Sequence, residues 1–189
     1  MQGKLVFTTP FFTIEELPAA DTLNGLPYYR LNGPDSVICC VMNLKGQLLM
    51  VKQYRPNLNV HTLEFPAGEI DSGETPREAA TREIREELGI GCKMISLGHY
   101  LLMMNRTNIK NHLFFCLSSS EEVGVETEKG IEKITISREE FKALNRDSEY
   151  FQLAGLGILQ LASLVLNINV LNDPFDEVVK AFNIYVENN

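Results

Sequence analysis

Between Thr75 and Gly89 the chain spells out a helix with both ends marked. Thr75 and Glu78 have the T-x-x-E spacing of a capping box, and Pro76 falls at the first helical position, where its missing N–H costs nothing. Gly89 stands where a glycine can end a helix by turning left-handed. Ala80, Ile84 and Leu88 recur every four residues and predict the stripe that faces a core. Arg82 lies one turn before Glu86, close enough to pair with it and fix its rotamer. Ahead of this helix, Pro66, Gly68 and Gly73 predict a loop whose backbone can approach a phosphate or offer a carbonyl to a metal.

The helix carries Glu83, Glu86 and Glu87 within one turn, just after Arg82. At ~100° per residue these carboxylates fall within an arc of roughly 100°, expected beside the buried stripe. Three such like charges repel, so at neutral pH they need cations or must keep some protons. Hard divalent ions, shared between carboxylates and the phosphates of a substrate, are the usual solution. The segment therefore predicts phosphate chemistry.

The rest of the composition narrows the class. At 189 residues, with 44% hydrophobic and 22% charged, the chain suits one full-cored globular domain. A net charge of −8 argues against non-specific nucleic-acid binding, which relies on clustered Lys and Arg. It also means that an anionic substrate needs local help from metals or arginines. No apolar run reaches the ~18 residues that a membrane span requires. Leu153 to Val170 comes closest, but its Gly, Gln, Ser and Asn predict a buried helix. The N-terminus makes a poor signal peptide. Cys39, Cys40, Cys92 and Cys116 lack C-x-x-C spacing and are expected as reduced thiols in a cytoplasmic protein, not as a zinc site.

Strands are expected over Leu5–Leu17 (one or two), Ser36–Met42, Gln47–Gln53, His61–Phe65, Met94–Met104, Asn111–Ser118 and Ile131–Ile136. Pro18 to Pro34, including Tyr28 and Tyr29, reads as a turn-rich stretch. Ser36–Met42 is apolar throughout and so buried on both faces; Asn43 to Gly46 signals a hairpin to the next strand. Helices are expected over Arg138–Leu144, Phe151–Val170 and Pro174–Tyr185. Strands, one helix, more strands and then helices fit an α/β (α+β) arrangement around a mixed sheet.

Gly68, Glu74, Arg82, Glu83, Ile84, Glu86, Glu87, Gly89 and Ile90 fill every fixed place of the Nudix box, G-x5-E-x7-R-E-U-x-E-E-x-G-U with U aliphatic. The chain resembles a Nudix hydrolase. That resemblance implies an α/β/α sandwich around a mixed β-sheet, with an N-terminal antiparallel strand extension over residues 1–35 and the main domain over 36–189. It implies metal-dependent cleavage of a pyrophosphate bond by water, with Mg²⁺ or Mn²⁺ as cofactor. Glu83, Glu86, Glu87 and the Ala67 carbonyl correspond to metal ligands, and Glu74 and Arg82 to supporting residues.

Outside the box, Gln53-Tyr54-Arg55-Pro56 and Glu64-Phe65-Pro66-Ala67-Gly68 resemble the QYR…E-x-PAG run of the ADP-ribose and ADP-sugar pyrophosphatase branch. The resemblance assigns a substrate contact to Arg55 and places Glu64 along the site. The Y-x-S-P-G-x-x-x-E run of many ADP-ribose pyrophosphatases is replaced here by Tyr100-LLMMNRTN, where Arg106 and Asn108 are substitute candidates and His112 reads as structural. A glutamate of a later loop often serves as general base in this branch. Glu128 is the first candidate and Glu126 the second, in a loop that also holds Glu121 and Glu122; a motif glutamate is the other option. The branch also implies a homodimer with exchanged N-terminal strands, and Tyr28 and Tyr29 in packing or base stacking. ADP-ribose, giving AMP and ribose 5-phosphate, is the first expected substrate. Alternatives are NADH, GDP-mannose or another sugar nucleotide, or a module that binds a nucleotide without turnover.

Overall fold

The computed structural model describes residues 3–18, 25–119, 128–146 and 152–188. The elements run β1 (Lys4–Thr8), β2 (Thr13–Leu17), β3 (Tyr28–Asn32), β4 (Ser36–Met42), β5 (Leu48–Arg55), β6 (Val60–Glu64) and β7 (Ala67–Glu69). There follow α1 (Pro76–Leu88), β8 (Cys92–Tyr100), β9 (Asn111–Ser118), β10 (Ile131–Ile136), α2 (Arg138–Arg146), α3 (Leu153–Leu166) and α4 (Phe175–Asn188).

Strands β1, β2 and β3 form an antiparallel sheet of their own. The main sheet runs β10-β5-β4-β9-β8, with β6 added to β5 and β7 to β4. Among the described strands of this sheet β4 and β9 pair parallel and the other pairs are antiparallel, so the sheet is mixed. β4 is its centre, and successive side chains of a strand point to opposite faces. Ile38, Cys40 and Met42 enter one core with Leu48, Met50, Leu113, Phe115 and residues of α2, α3 and α4. Val37, Cys39 and Val41 enter the other with Leu49, Val51, Phe114, Cys116 and the stripe Ala80, Ile84 and Leu88 of α1. A strand buried on both faces needs an apolar residue at every position, which explains SVICCVM. The result is the expected α/β/α sandwich.

The capping box forms as spelled: Glu78 accepts the Thr75 N–H at 2.8 Å and donates its own N–H to Thr75 Oγ1 at 3.3 Å. Gly89 adopts φ 66° and closes the helix on the Arg85 carbonyl. Several expectations change: β7 (Ala67–Glu69) forms inside the segment expected as a loop, because β4 supplies its ladder, and the helix expected over Phe151–Val170 is Leu153–Leu166, ended by left-handed Asn167. Tyr28 and Tyr29 lie in strand β3, where they pair with Leu17 and Glu16 of β2; the partner strand supplies a ladder that local turn residues do not reveal. The strand starting near Met94 ends at Tyr100, and 101–104 leave the sheet.

Phe115 is fully buried and meets the Phe182 ring edge-on at 6.0 Å, joining the sheet to α4. Phe115→Ala should destabilise the fold by about 3–5 kcal/mol. A urea titration should show the lower midpoint with an unchanged slope.

Candidate active site

The site starts from a strand with no side chain at its contact point. β7 runs beside α1, and a Cβ placed on Gly68 would fall inside the Glu83 carboxylate. Only glycine lets the helix acid lie against the strand. Glu83 and Glu87, one helical turn apart, are thus buried rather than set beside the buried face: they are 7% and 3% exposed. Glu87 Oε2 accepts the Ala67 N–H at 3.3 Å. Glu86 points outward, its side chain 49% exposed. The expected three-acid cluster is therefore a buried pair with a third acid at its rim.

Arg82 fastens the loop that leads into the helix. Its Nε and Nη2 each donate to Glu74 at 3.0 Å, and Nη2 also reaches the Glu69 carbonyl at 2.9 Å. Its Nη1 bonds Glu83 at 2.5 Å and Glu86 at 3.2 Å. Glu74 and then the other acids push the guanidinium pKa further above its ordinary value, so the charge is permanent.

Arg82 does not neutralise the pair. Burial, then the Glu83 charge, pushes the Glu87 pKa up to about 8, with Glu128 and Glu64 adding to it. Burial also raises Glu83, against the pull of Arg82. Glu128 approaches from the other side, its backbone N–H donating to the Glu86 carbonyl at 3.1 Å.

Next to Glu87 lies a second ion pair. Arg55 clasps Glu64 through two bonds, Nε to Oε1 at 2.7 Å and Nη2 to Oε2 at 2.6 Å, and the buried Thr62 hydroxyl donates to Glu64 Oε1 at 2.5 Å. Burial would raise the Glu64 pKa, but the bonds from Arg55 and Thr62 hold it below the usual carboxylate value. These residues, with Asn57, Leu58 and Gln152, border a cleft of about 370 Å³. A larger hollow of about 720 Å³ follows the outer face of α1 along Arg77, Thr81, Arg82, Arg85 and Glu86, and so meets the rim acid but neither buried one. The cleft is the better candidate, because Glu64 ties it to the buried acids.

Residues 33–154 match the family model of the NUDIX domain. The chain belongs to the NUDIX domain family. It is similar to an ADP-sugar pyrophosphatase of Mus musculus, 52% identical over 42 residues (22% of this chain, 19% of the relative). It is also similar to an ADP-ribose pyrophosphatase of Bacillus subtilis, 36% identical over 63 residues (33% and 34%). An 8-oxo-dGTP diphosphatase of Haemophilus influenzae is 30% identical over 92 residues (48% and 68%). The chain spans about a third or less of the length of the first two of these. A solved structure described as an ADP compounds hydrolase shares the fold with a TM-score of 0.70 at 20% identity, over 88% of this chain and 92% of that one.

Members of the NUDIX domain family generally need a divalent metal ion, and the donors here suit one. Two under-neutralised carboxylates and the adjacent Ala67 backbone are hard oxygen donors. Among the described residues no three His, Cys, Asp or Glu make a ready metal cage. Mg²⁺-type ions commonly combine one or two carboxylates with water and substrate phosphates.

Other residues named from the sequence lie elsewhere or are not described. Arg106 packs over the Tyr28 ring at 5.4 Å, and its carbonyl accepts the Leu31 N–H at 2.8 Å, so it braces β3. His112 lies 3.6 Å from Asp35. Glu121, Glu122 and Glu126 fall outside the described residues. Thr62 and Gln152 join the site without any local sequence signal, since each acts through a neighbour that the fold supplies.

A carboxyl whose folded pKa exceeds its unfolded one loses stability as pH rises between the two values. For Glu87 that window runs from the ordinary carboxyl value of 4.5 to about 8. In chelator, the melting temperature should fall across this window, and Glu87→Gln should flatten the fall. Identical pH profiles for the two proteins would contradict the buried acid pair.

Proposed function

We propose that the chain hydrolyses the pyrophosphate bond of a nucleoside diphosphate sugar, with ADP-ribose first, giving AMP and ribose 5-phosphate. The observation that carries this reading is the Glu83–Glu87 pair, buried against Gly68, in which Arg82 reaches Glu83 but no cation pairs with Glu87 among the described residues. Such a pair awaits cations, and phosphate oxygens share cations readily. The ADP-sugar and ADP-ribose relatives point to the substrate class.

Glu83, Glu87 and the Ala67 carbonyl would hold Mg²⁺ or Mn²⁺, with Glu86 at the rim. When bound, the ion supplies charge neutralisation for the phosphates and lowers the pKa of a water. Arg82 keeps Glu83 and the preceding loop in place. Arg55 offers its remaining Nη1 donors to a phosphate while Glu64 holds the guanidinium flat, a fixed geometry suited to anion recognition. The Glu128 carboxylate takes the proton of the attacking water as general base.

The same reading makes the protein a cytoplasmic homodimer that binds no nucleic acid. Support comes from the exposed apolar residues of β1, Leu5, Val6 and Phe7, and from free cysteines, three of them buried. Among the described residues no helix is long and apolar enough to cross a membrane.

The test is turnover of ADP-ribose, ADP-glucose, GDP-mannose, NADH and 8-oxo-dGTP with Mg²⁺ or Mn²⁺, separating products by chromatography. Metal-dependent AMP from ADP-ribose at the highest kcat/KM is expected, and no cleavage of any compound by folded protein would overturn the reading. Glu128→Gln should lower kcat by ~100-fold or more if this residue is the base. An unchanged kcat would remove Glu128 from the chemistry.

A further inference from the structure

Phe65 stands where the chain changes partners. Up to Glu64 it pairs with β5, and from Ala67 it pairs with β4. Phe65 itself is fully buried and outside both ladders, so its main-chain N–H and C=O need partners away from water. The Gln152 side chain reaches both: Oε1 accepts the Phe65 N–H at 2.8 Å, and Nε2 approaches the Phe65 carbonyl at 3.5 Å.

Gln152 is also the N-cap residue of α3, yet its side chain makes no capping bond to that helix. A position that favours Ser, Thr, Asp or Asn for capping here holds a longer amide, directed to a residue 87 positions away. Immediately after Phe65, the Pro66 carbonyl accepts the Cys39 N–H at 2.8 Å and the Ala67 N–H bonds Glu87. The strand that meets the buried acids is therefore held from three directions: by β4, by α1 and, through Gln152, by the opposite helical layer.

We infer that Gln152 is a positioning residue of the pyrophosphatase site: its amide locks the Phe65 main chain and so sets the Ala67 carbonyl against the Glu83–Glu87 pair. The inference rests on the functional reading above. It makes the start of α3 and the acid-bearing side of the sheet one mechanical unit, with the Arg55–Glu64 cleft between them.

Gln152→Met keeps the length of the side chain and removes both bonds. Gln152→Glu keeps the 2.8 Å acceptor and loses the long donor contact to the Phe65 carbonyl. Three readouts separate them: exchange of the Phe65 amide, Mn²⁺ binding without substrate (from the free-ion paramagnetic signal), and steady-state kinetics. In Gln152→Met, Phe65 should exchange faster, and Mn²⁺ affinity and kcat should fall by about 10–100-fold, as for other residues that orient metal ligands. Gln152→Glu should restore Phe65 protection, Mn²⁺ affinity and kcat, with a raised KM because a carboxylate joins Glu64 in the cleft. Wild-type Mn²⁺ affinity and kcat in Gln152→Met would overturn the inference, as would a Gln152→Glu protein with the same loss of both. Should Gln152→Met fail to fold, the Gln152→Glu arm decides alone. If the wild-type protein neither binds Mn²⁺ nor cleaves ADP-ribose, the functional reading falls instead. Phe65 exchange then tests the strand lock by itself, and no change in Gln152→Met would overturn that too.

Discussion

Two carboxylates one helical turn apart are pressed against a strand that has only a hydrogen where a side chain would stand. Burial and mutual repulsion make the ionised pair costly in this position, a cost that folding tolerates because the surrounding packing over-determines α1. The apolar stripe Ala80, Ile84 and Leu88 is locked into the core formed by β4, β5 and β9. Its capping box and left-handed Gly89 fix both ends of the helix. The acids follow from the helix, and the helix cannot turn away without emptying that core.

Arg82 answers a different demand. It spans Glu74, the Glu69 carbonyl, Glu83 and Glu86, and so closes the loop between β7 and α1 into a rigid ring of contacts. One permanent cation orders several anions without cancelling the charge of the deepest one, since Glu87 has no contact with Arg82 among these bonds. The division matters chemically. Arg82 supplies shape and reaches Glu83, while Glu87, raised to about 8 by burial and by Glu83, needs a further cation before it can hold its charge at neutral pH.

The two faces of the sheet contribute unequally. The α1 face carries the acids, and the opposite layer reaches the same strand through Gln152 and Phe65. Arg55, Glu64 and Thr62 lie where these influences meet, on strands β5 and β6. Strands β1–β3 form a sheet separate from the main one, and Tyr28 and Leu31 of β3 link it to the segment from Asn105 to Thr107. Arg106 belongs to this junction, over the Tyr28 ring, and the structure brings it to β3.

Much of α1 was legible because its determinants are local: caps, periodicity and the Arg82–Glu86 spacing act within a few residues. The central strand was legible for a related reason, since double burial demands an unbroken apolar run. Strand β3 was not, because Tyr28 and Tyr29 become a strand only when β2 offers a ladder. Sequence spacing placed three glutamates on one arc, but only packing decided that Glu83 and Glu87 would be buried and Glu86 left at the rim. The depth of each acid depends on the strand laid against the helix, and Gly68 permits that contact only once β7 has paired with β4. Gln152 was invisible for the same physical reason: its partner is brought to it by the sandwich, across 87 residues of chain. By itself the sequence determined the helix, its caps and the identity of the acids. Tertiary structure alone decided which of them lose water, and burial is what turns a row of glutamates into a site.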